Sequence, residues 1–281
     1  MERDDRSLRV LSFNLWWRFG SWERRRGAIS GVLSDVDPDV CGLQEVWADP
    51  EENFAASLAG ELGMHWAWAP SPQQGWWRSR IGDPEAGIGN AVLSRWPILE
   101  ETVLHLPAGD GPDEGRTALF ALLDAPGGKI PFFTTQLNSA PHQSSVRRGQ
   151  VTALARFVAD RATTDFPPVV TGDFNAEADS DEMRLLCGHK TEPAVPGLVL
   201  ADAWRYADPL DPGWTWDPRN PFVRKTMEPG ARIDYVLVGI PGPAGAGHVR
   251  SVRVAANGPV DGIWPSDHAG VVAELGWGAD R

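Results

Sequence analysis

Seven runs of strand length, apolar almost from end to end, set the strongest limit on what this chain can fold into. They lie at 8–15 (LRVLSFNL), 39–46 (DVCGLQEV), 90–98 (NAVLSRWPI), 118–125 (ALFALLDA), 130–137 (IPFFTTQL), 168–173 (PVVTGD) and 232–239 (RIDYVLVG). A strand that is half in water alternates apolar and polar residues, so runs this continuous read as strands buried on at least one face and bounded by turn residues. Between them the apolar period lengthens to that of a helix over 21–34 (Ile29, Val32, Leu33), 50–62 (Phe54, Leu58, Leu62) and 144–162 (Val146, Val151, Leu154, Phe157, Val158). Helices therefore alternate with strands without a strict βαβ rhythm. With 281 residues and no repeat, low-complexity tract or linker, the chain reads as one domain over 1–281.

Two long segments, 63–89 and 207–231, read as irregular, and loops of that length in a compact domain usually carry function. Cys41 and Cys187 sit in apolar contexts without zinc-site spacing and read as buried thiols. The start of the sequence is charged, no apolar stretch reaches membrane-span length, and the expectation is a cytoplasmic monomer with no membrane insertion. A net charge of −12 opposes tight sequence-independent binding to nucleic acid, because that affinity comes from Lys and Arg on phosphates. A small phosphorylated substrate fits this balance better than long duplex DNA.

Five short motifs put polar residues where a buried strand would not want them. Asn14 closes LRVLSFNL and Gln44-Glu45 closes VCGLQE; a carboxylate there is costly unless solvent or a cation compensates it. Glu45 with an Asn carbonyl oxygen is a hard donor set suited to Mg²⁺, though each motif alone also fits a strand end that faces water. In Thr171-Gly172-Asp173-Phe174-Asn175, extended backbone would turn Asp173 and Asn175 to one side and Phe174 into the core. Asp173 could then orient or deprotonate a water, and Asn175 could donate to a developing charged oxygen. Finally, Arg232-Ile233-Asp234-Tyr235 and Ser266-Asp267-His268 supply an Asp234 able to fix the tautomer of His268, leaving Asp267 to face a metal.

Together, in this order and with these gaps, the five motifs resemble the endonuclease/exonuclease/phosphatase superfamily, which includes deoxyribonuclease-I-like nucleases, abasic-site endonucleases, inositol phosphatases and neutral sphingomyelinases. The resemblance spans about Leu8 to Leu275. It implies an α/β fold, a four-layer sandwich of two packed mixed β-sheets flanked by helices, with the active site at one end of the sheets. It also implies that Asn14, Glu45 and Asp267 hold Mg²⁺, with Mn²⁺ as an alternative. Asp173 and Asn175 would act on water and phosphate, the pair His268–Asp234 would complete the site, and Arg116 would contact phosphate.

One position departs from the family. Its Thr-His-Leu strand reads Thr135-Gln136-Leu137 here, and a glutamine can hydrogen-bond a phosphate oxygen but cannot deliver a proton. A positioned proton donor is commonly worth about 10²–10⁴-fold in rate. Either His142 replaces it, or the leaving group needs no acid, or the protein binds without turnover. The expectation for Gln136, on the strand face shared with Phe132 and Thr134, is that its amide donates to a substrate oxygen.

The 14 tryptophans either fill loop cores or wall a substrate, and six fall in the two long segments: Trp66, Trp68, Trp76, Trp77, Trp214 and Trp216. Trp76, Trp77, Arg78 and Arg80 read as a mobile aromatic cover over a phosphorylated ligand. Arg24-Arg25-Arg26 reads as a solvated helix face, and Arg147 and Arg148 as optional phosphate contacts. The leading reading is a metal-dependent hydrolase of phosphomonoesters or phosphodiesters. Its rivals are a non-catalytic or weakly active phosphoryl-ligand-binding homologue and a nuclease.

Overall fold

A computed structural model describes residues 7–110, 112–162 and 166–278, so the charged stretch 1–6 lies outside the described residues. In chain order the elements are β1 (Ser7–Asn14), α1 (Trp22–Val36), β2 (Val40–Ala48), α2 (Phe54–Leu62), β3 (His65–Pro70), α3 (Gln74–Ile81), β4 (Gly87–Ser94), β5 (Ile98–His105), β6 (Thr117–Ala125), β7 (Gly128–Gln136), α4 (Ser144–Arg161), β8 (Val169–Asp173), α5 (Asp181–Cys187), β9 (Leu200–Asp202), α6 (Pro221–Arg224), β10 (Asp234–Gly239), β11 (Val249–Ala255) and β12 (Gly270–Gly276). They form two six-stranded sheets, β11-β12-β1-β2-β4-β3 and β5-β6-β7-β8-β10-β9. Each sheet is mixed, with β1–β2 and β7–β8 the parallel pairs.

The continuous apolar runs have a simple cause: both faces of the central strands meet apolar neighbours, but different ones. In β1, Leu8 and Val10 face the second sheet while Leu11 and Phe13 face the helices, and in β7 Phe132 faces the first sheet while Phe133 faces α4. One core lies between the sheets. A second lies under α1 and α2 (Ile29, Leu33, Phe54, Leu58), and a third under α4 and α5 (Val151, Leu154, Phe157, Leu186). Truncating a side chain such as Phe132 to Ala in packing of this kind costs about 3–5 kcal/mol.

Along the gap between the sheets the residue types change in three tiers, fixed by strand register. The first tier is apolar: Val10 beside Val40, and Phe132 beside Val169, which pairs with Val238. The second is small or hydroxylated: Ser12 beside Gly42, and Thr134 beside Thr171. The third is amide or carboxylate: Asn14 beside Gln44, and Gln136 beside Asp173, which pairs with Asp234. In the middle tier, Thr171 and Thr134 hydroxyls lie 1.9 and 2.7 Å from where a Cβ on Gly42 would sit, so only glycine allows the sheets to approach this closely. Polar chemistry is thus confined to one end of the sandwich.

Two expectations need correction. The segment 63–89 is not irregular: it contains β3 and α3, which ends on Gly82 at φ 69. The period there is obscured because α3 carries Arg and Gln among its tryptophans. The segment 207–231 is irregular apart from α6, which is capped by Asn220. The edge strands β5 and β11 were not legible as apolar runs because their outer residues are in water. Both cysteines are buried and free. Among the described residues no helix is long and apolar enough to cross a membrane.

Candidate active site

The third tier, with the loops that follow it, gathers every strand-end polar residue singled out in the sequence. Glu45 arrives by an irregular route. By alternation it should point with Leu43 toward the helices, but the β2–β4 register shifts between Leu43 and Val46, and Glu45 adopts φ 52. A bulge with a left-handed non-glycine residue costs on the order of 1–3 kcal/mol, and here it swings the carboxylate to the sheet end. Asn175 does the same at φ 49. It is not in extended backbone, yet its amide reaches Asp173, because Asp173 Oδ1 accepts the Asn175 backbone N–H at 3.0 Å and closes a local turn. Phe174 between them is fully buried, as the sequence suggests.

The side chains form a continuous network. Asn14 Nδ2 donates to Asp173 Oδ2 at 3.0 Å and lies 3.5 Å from Glu45 Oε1. Gln136 Nε2 donates to Glu45 Oε1 at 2.6 Å and to Asp173 Oδ2 at 3.2 Å. Asn175 Nδ2 donates to Leu137 O at 3.1 Å and to Asp173 Oδ2 at 3.3 Å. His268 Nδ1 is 2.9 Å from Asp234 Oδ2, and its Nε2 is 3.9 Å from Asp173 Oδ2. Ser266 Oγ donates to Asn14 O at 2.7 Å, with Asp267 Oδ1 3.3 Å away, tying the Ser-Asp-His motif to the end of β1. Asn14, Glu45, Asp173, Asn175, Asp234, Asp267 and His268 therefore share one site.

Electrostatics divide these groups by role. Burial, the largest influence, works against charge on His268, but Asp234 and Asp173 outweigh it and raise its pKa well above 6.5, so the imidazolium is held at neutral pH. Asp173 is pushed up by burial, against the pull of His268. Asp267 is pushed up to about 7, chiefly by burial, with His268 opposing and Glu45 adding to the rise. A group of carboxylates so disfavoured calls for a cation.

Two sets of side chains offer donor atoms for that cation. Asp173, Asp234 and His268 each offer one atom within 4.8 Å of the others. However, His268 Nδ1 already meets Asp234, and a protonated imidazole has no lone pair to give. The set Asn14, Glu45 and Asp267 fits better. Glu45 Oε2 is buried with no hydrogen-bond partner among the described residues, an orphaned carboxylate oxygen in a set of hard oxygen donors. Asn14 Oδ1 accepts the Trp16 backbone N–H at 2.9 Å, which leaves it a second lone pair.

The other sequence candidates fall elsewhere. Arg116 is buried, neutralised by Glu114 (2.7 and 3.0 Å) and bonded through Nη1 to Gln136 Oε1, so it lies one layer behind the site. Trp77 is not part of a mobile cover: it is buried in the core, 5.7 Å from Trp17 and donating to Glu114 O at 2.8 Å. Trp76 meets Trp77 edge to face, Arg80 lies over both rings, and Arg78 donates to Ala86 O at 3.0 Å. His142 is exposed on the short 3-10 turn Pro141–Gln143 and has no hydrogen bond to the cluster among the described residues. Arg147 is an internal tie, bonded to Glu182 and to the carbonyls of Asn138, Ala140 and Pro141, while Arg148 is exposed. Both amide hydrogens of Gln136 go to Glu45 and Asp173 rather than into open space, which departs from the expectation that they serve a substrate oxygen.

The arginine triplet splits three ways. Arg24 is exposed, and Arg26 makes a two-point bond to Glu52 at 2.6 Å. Arg25 is fully buried and donates to the carbonyls of Leu15, Trp16, Trp17, Phe19 and Pro265 at 2.6–3.0 Å. The signal was available: Arg25 stands four and seven residues before Ile29 and Val32, on the apolar face of α1. Burial lowers its pKa to about 10, with Asp267 and Glu45 partly restoring it, so it remains charged. Trp216, whose ring lies 5.1 Å from that of His268, and Thr215, whose Oγ1 accepts the Asp234 N–H at 3.2 Å, also support the site. Trp216 was singled out only as one of the loop tryptophans, and Thr215 not at all.

Comparison with known proteins bears on this geometry. A model of the Endonuclease/Exonuclease/phosphatase family matches residues 11–268. A search of curated proteins finds no match. Among solved structures, humanized D. rerio TDP2 superposes with a TM-score of 0.72 at 19% identity, covering 96% of this chain and 99% of that one. The human Nocturnin catalytic domain with bound sulfate gives 0.71 at 20%, covering 95% and 93%. An endonuclease/exonuclease/phosphatase from Beutenbergia cavernae gives 0.68 at 26%, covering 98% and 72%.

Proposed function

Because this chain belongs to the endonuclease/exonuclease/phosphatase family, we propose that it hydrolyses a phosphomonoester or phosphodiester of a small phosphorylated substrate with the aid of Mg²⁺ or Mn²⁺. The observation that carries the reading is the convergence of Asn14, Glu45, Asp173, Asn175, Asp234, Asp267 and His268 on one sheet end, with a buried Glu45 oxygen left unsatisfied. Glu45, Asn14 and Asp267 would hold the cation, which when bound polarises a phosphoryl oxygen.

The remaining chemistry belongs to the side chains. Asp173 is within 3.9 Å of the imidazolium and accepts three amide donors, so its carboxylate is fixed where it can orient a water and take its proton. His268, held by Asp234, offers a positive N–H at Nε2 to the charge that grows on the phosphoryl oxygens. Asn175 can donate to the same oxygens by exchanging its 3.3 Å bond to Asp173. No titratable group stands at Gln136, so this mechanism favours leaving groups that depart without a proton. That D. rerio TDP2 has been solved with a single-strand DNA product and the human Nocturnin catalytic domain with a sulfate anion lends support to a phosphoryl ligand for this chain.

An assay over sugar phosphates, nucleotides, inositol phosphates, phospholipids and DNA, with Mg²⁺ or Mn²⁺ and with chelator, tests the proposal. Chelator-sensitive release of phosphate or of a phosphomonoester, lost in Asp173→Asn and His268→Ala, is the expected result. Ligand binding without turnover across the panel would favour the non-catalytic reading instead.

A further inference from the structure

The residue at 136 is where this chain leaves its family's pattern, and its surroundings give it a different job. Gln136 is bonded at both ends of its amide. Its Oε1 accepts from Arg116 Nη1, and its two Nε2 hydrogens reach Glu45 Oε1 at 2.6 Å and Asp173 Oδ2 at 3.2 Å. An amide can rotate end for end at little cost unless a neighbour distinguishes oxygen from nitrogen. Arg116 makes that distinction, because a guanidinium has donors and no acceptor. The oxygen must face Arg116, so the hydrogens must face the carboxylates.

Arg116 is itself fixed. Glu114 Oε2 takes two of its N–H groups, the Trp77 ring lies 5.0 Å from its guanidinium carbon, and Trp77 Nε1 donates to Glu114 O. Between Glu114 and Arg116, Gly115 stands at φ 67, and a Cβ there would sit 2.2 Å from Ser71 Oγ and 2.8 Å from the Gln73 backbone nitrogen. Only glycine lets the loop fold so that both charged side chains turn inward. Glu114, Arg116 and Gln136 are all under a tenth exposed. The result is a buried chain Glu114–Arg116–Gln136–Glu45 that ends on the carboxylate whose second oxygen is unsatisfied.

We infer that Gln136 is a positioning residue for the metal carboxylate: the Glu114–Arg116 pair sets its amide so that it holds Glu45 Oε1 and leaves Oε2 for the cation. This rests on the metal reading above and adds to it. The position no longer addresses the leaving group. It sets how tightly the cation is held, as outer partners of metal ligands commonly do, with effects of about 10- to 100-fold in affinity.

Calorimetric titration of the purified protein with Mn²⁺ tests the assignment, alongside thermal melts in chelator. Gln136→Met keeps the volume and removes the amide; it should weaken Mn²⁺ binding about 10- to 100-fold and also lower the melt in chelator, since Arg116 Nη1 loses its acceptor. The pair Glu114→Gln with Arg116→Met removes the orienting cation without stranding a buried charge, and should weaken Mn²⁺ to a similar degree. Adding Gln136→Met to that pair should cost little more, since the three act as one unit. At saturating metal, turnover should recover more than the apparent metal affinity does. Wild-type-like Mn²⁺ affinity in Gln136→Met would overturn the assignment while leaving the metal reading intact. So would a Gln136→His variant with at least tenfold higher turnover and unchanged Mn²⁺ affinity. Failure of the wild type to bind Mn²⁺ at all would overturn both.

Discussion

Arg25 and Arg116 both lie buried near the candidate site, yet they spend their charge differently. Among the described residues Arg25 has no carboxylate in contact, and it is wrapped by five backbone carbonyls from the loop after β1 and from Pro265. Arg116 is paired with Glu114 and gives one bond to a side chain of the site. The first fixes where two chain segments run, and through them Asn14 and Asp267. The second fixes which way one amide faces. A buried cation can thus serve backbone placement or side-chain orientation, and the acceptors it chooses tell which.

The largest effect should come from breaking the Arg25 side. Arg25→Met strands several carbonyls at once and should cost more than about 3 kcal/mol in urea unfolding, given about 1–3 kcal/mol per buried unsatisfied group. Arg25→Lys should restore only part, because a point charge cannot span five acceptors. The Glu114→Gln, Arg116→Met pair should show the opposite profile, with stability reduced by only about 1 kcal/mol and metal affinity reduced most. If both arginines gave the same ratio of stability loss to affinity loss, the distinction would collapse.

The pH dependence gives a smaller, graded test. Asp267 has a folded pKa of about 7, above its ordinary value, so the metal-free protein binds more protons folded than unfolded at this group. Its contribution is full below about pH 4 and is lost as pH rises through about 7, and His268, also raised, adds a loss at higher pH. Metal-free stability should therefore fall from pH 5 to 8, and added Mg²⁺ should raise the melting temperature more at pH 8 than at pH 5, where protons compete for Asp267. A flat Mg²⁺ effect would remove Asp267 from the metal set. The smallest effect belongs to Arg26→Ala: its bond to Glu52 is at the surface, and its loss should cost below about 1 kcal/mol.

Much of this was legible in the sequence, and the gaps have physical causes. The central strands and the three long helices could be read because burial on two sides leaves an unbroken apolar signature, as in LRVLSFNL and IPFFTTQL. The motif residues could be read because a polar side chain ending such a run is out of place. Glu45 could be named, but its left-handed bulge could not, since alternation predicts the opposite face. The wrapping of Arg25 was half-visible in the α1 period, whereas the Glu114–Arg116–Gln136 chain joins residues about twenty apart through side chains alone. Trp77 was misplaced because a tryptophan beside two arginines looks like surface until α3 turns it inward.

Gly42 has an influence that reaches past its own strand. The side chains of the candidate site belong to two separate sheets: Asn14 and Glu45 hang from one, and Gln136, Asp173 and Asp234 from the other. Among the described residues no disulfide ties those two rims together, since both cysteines are free. What sets their separation is the thickness of the tier beneath them, and Gly42, facing Thr134 and Thr171, is its thinnest part. The site behaves like the jaws of a caliper whose opening is set by a shim: a single methyl group at 42 would touch no substrate and no metal, yet would widen the distance across which Glu45 and Asp173 must cooperate.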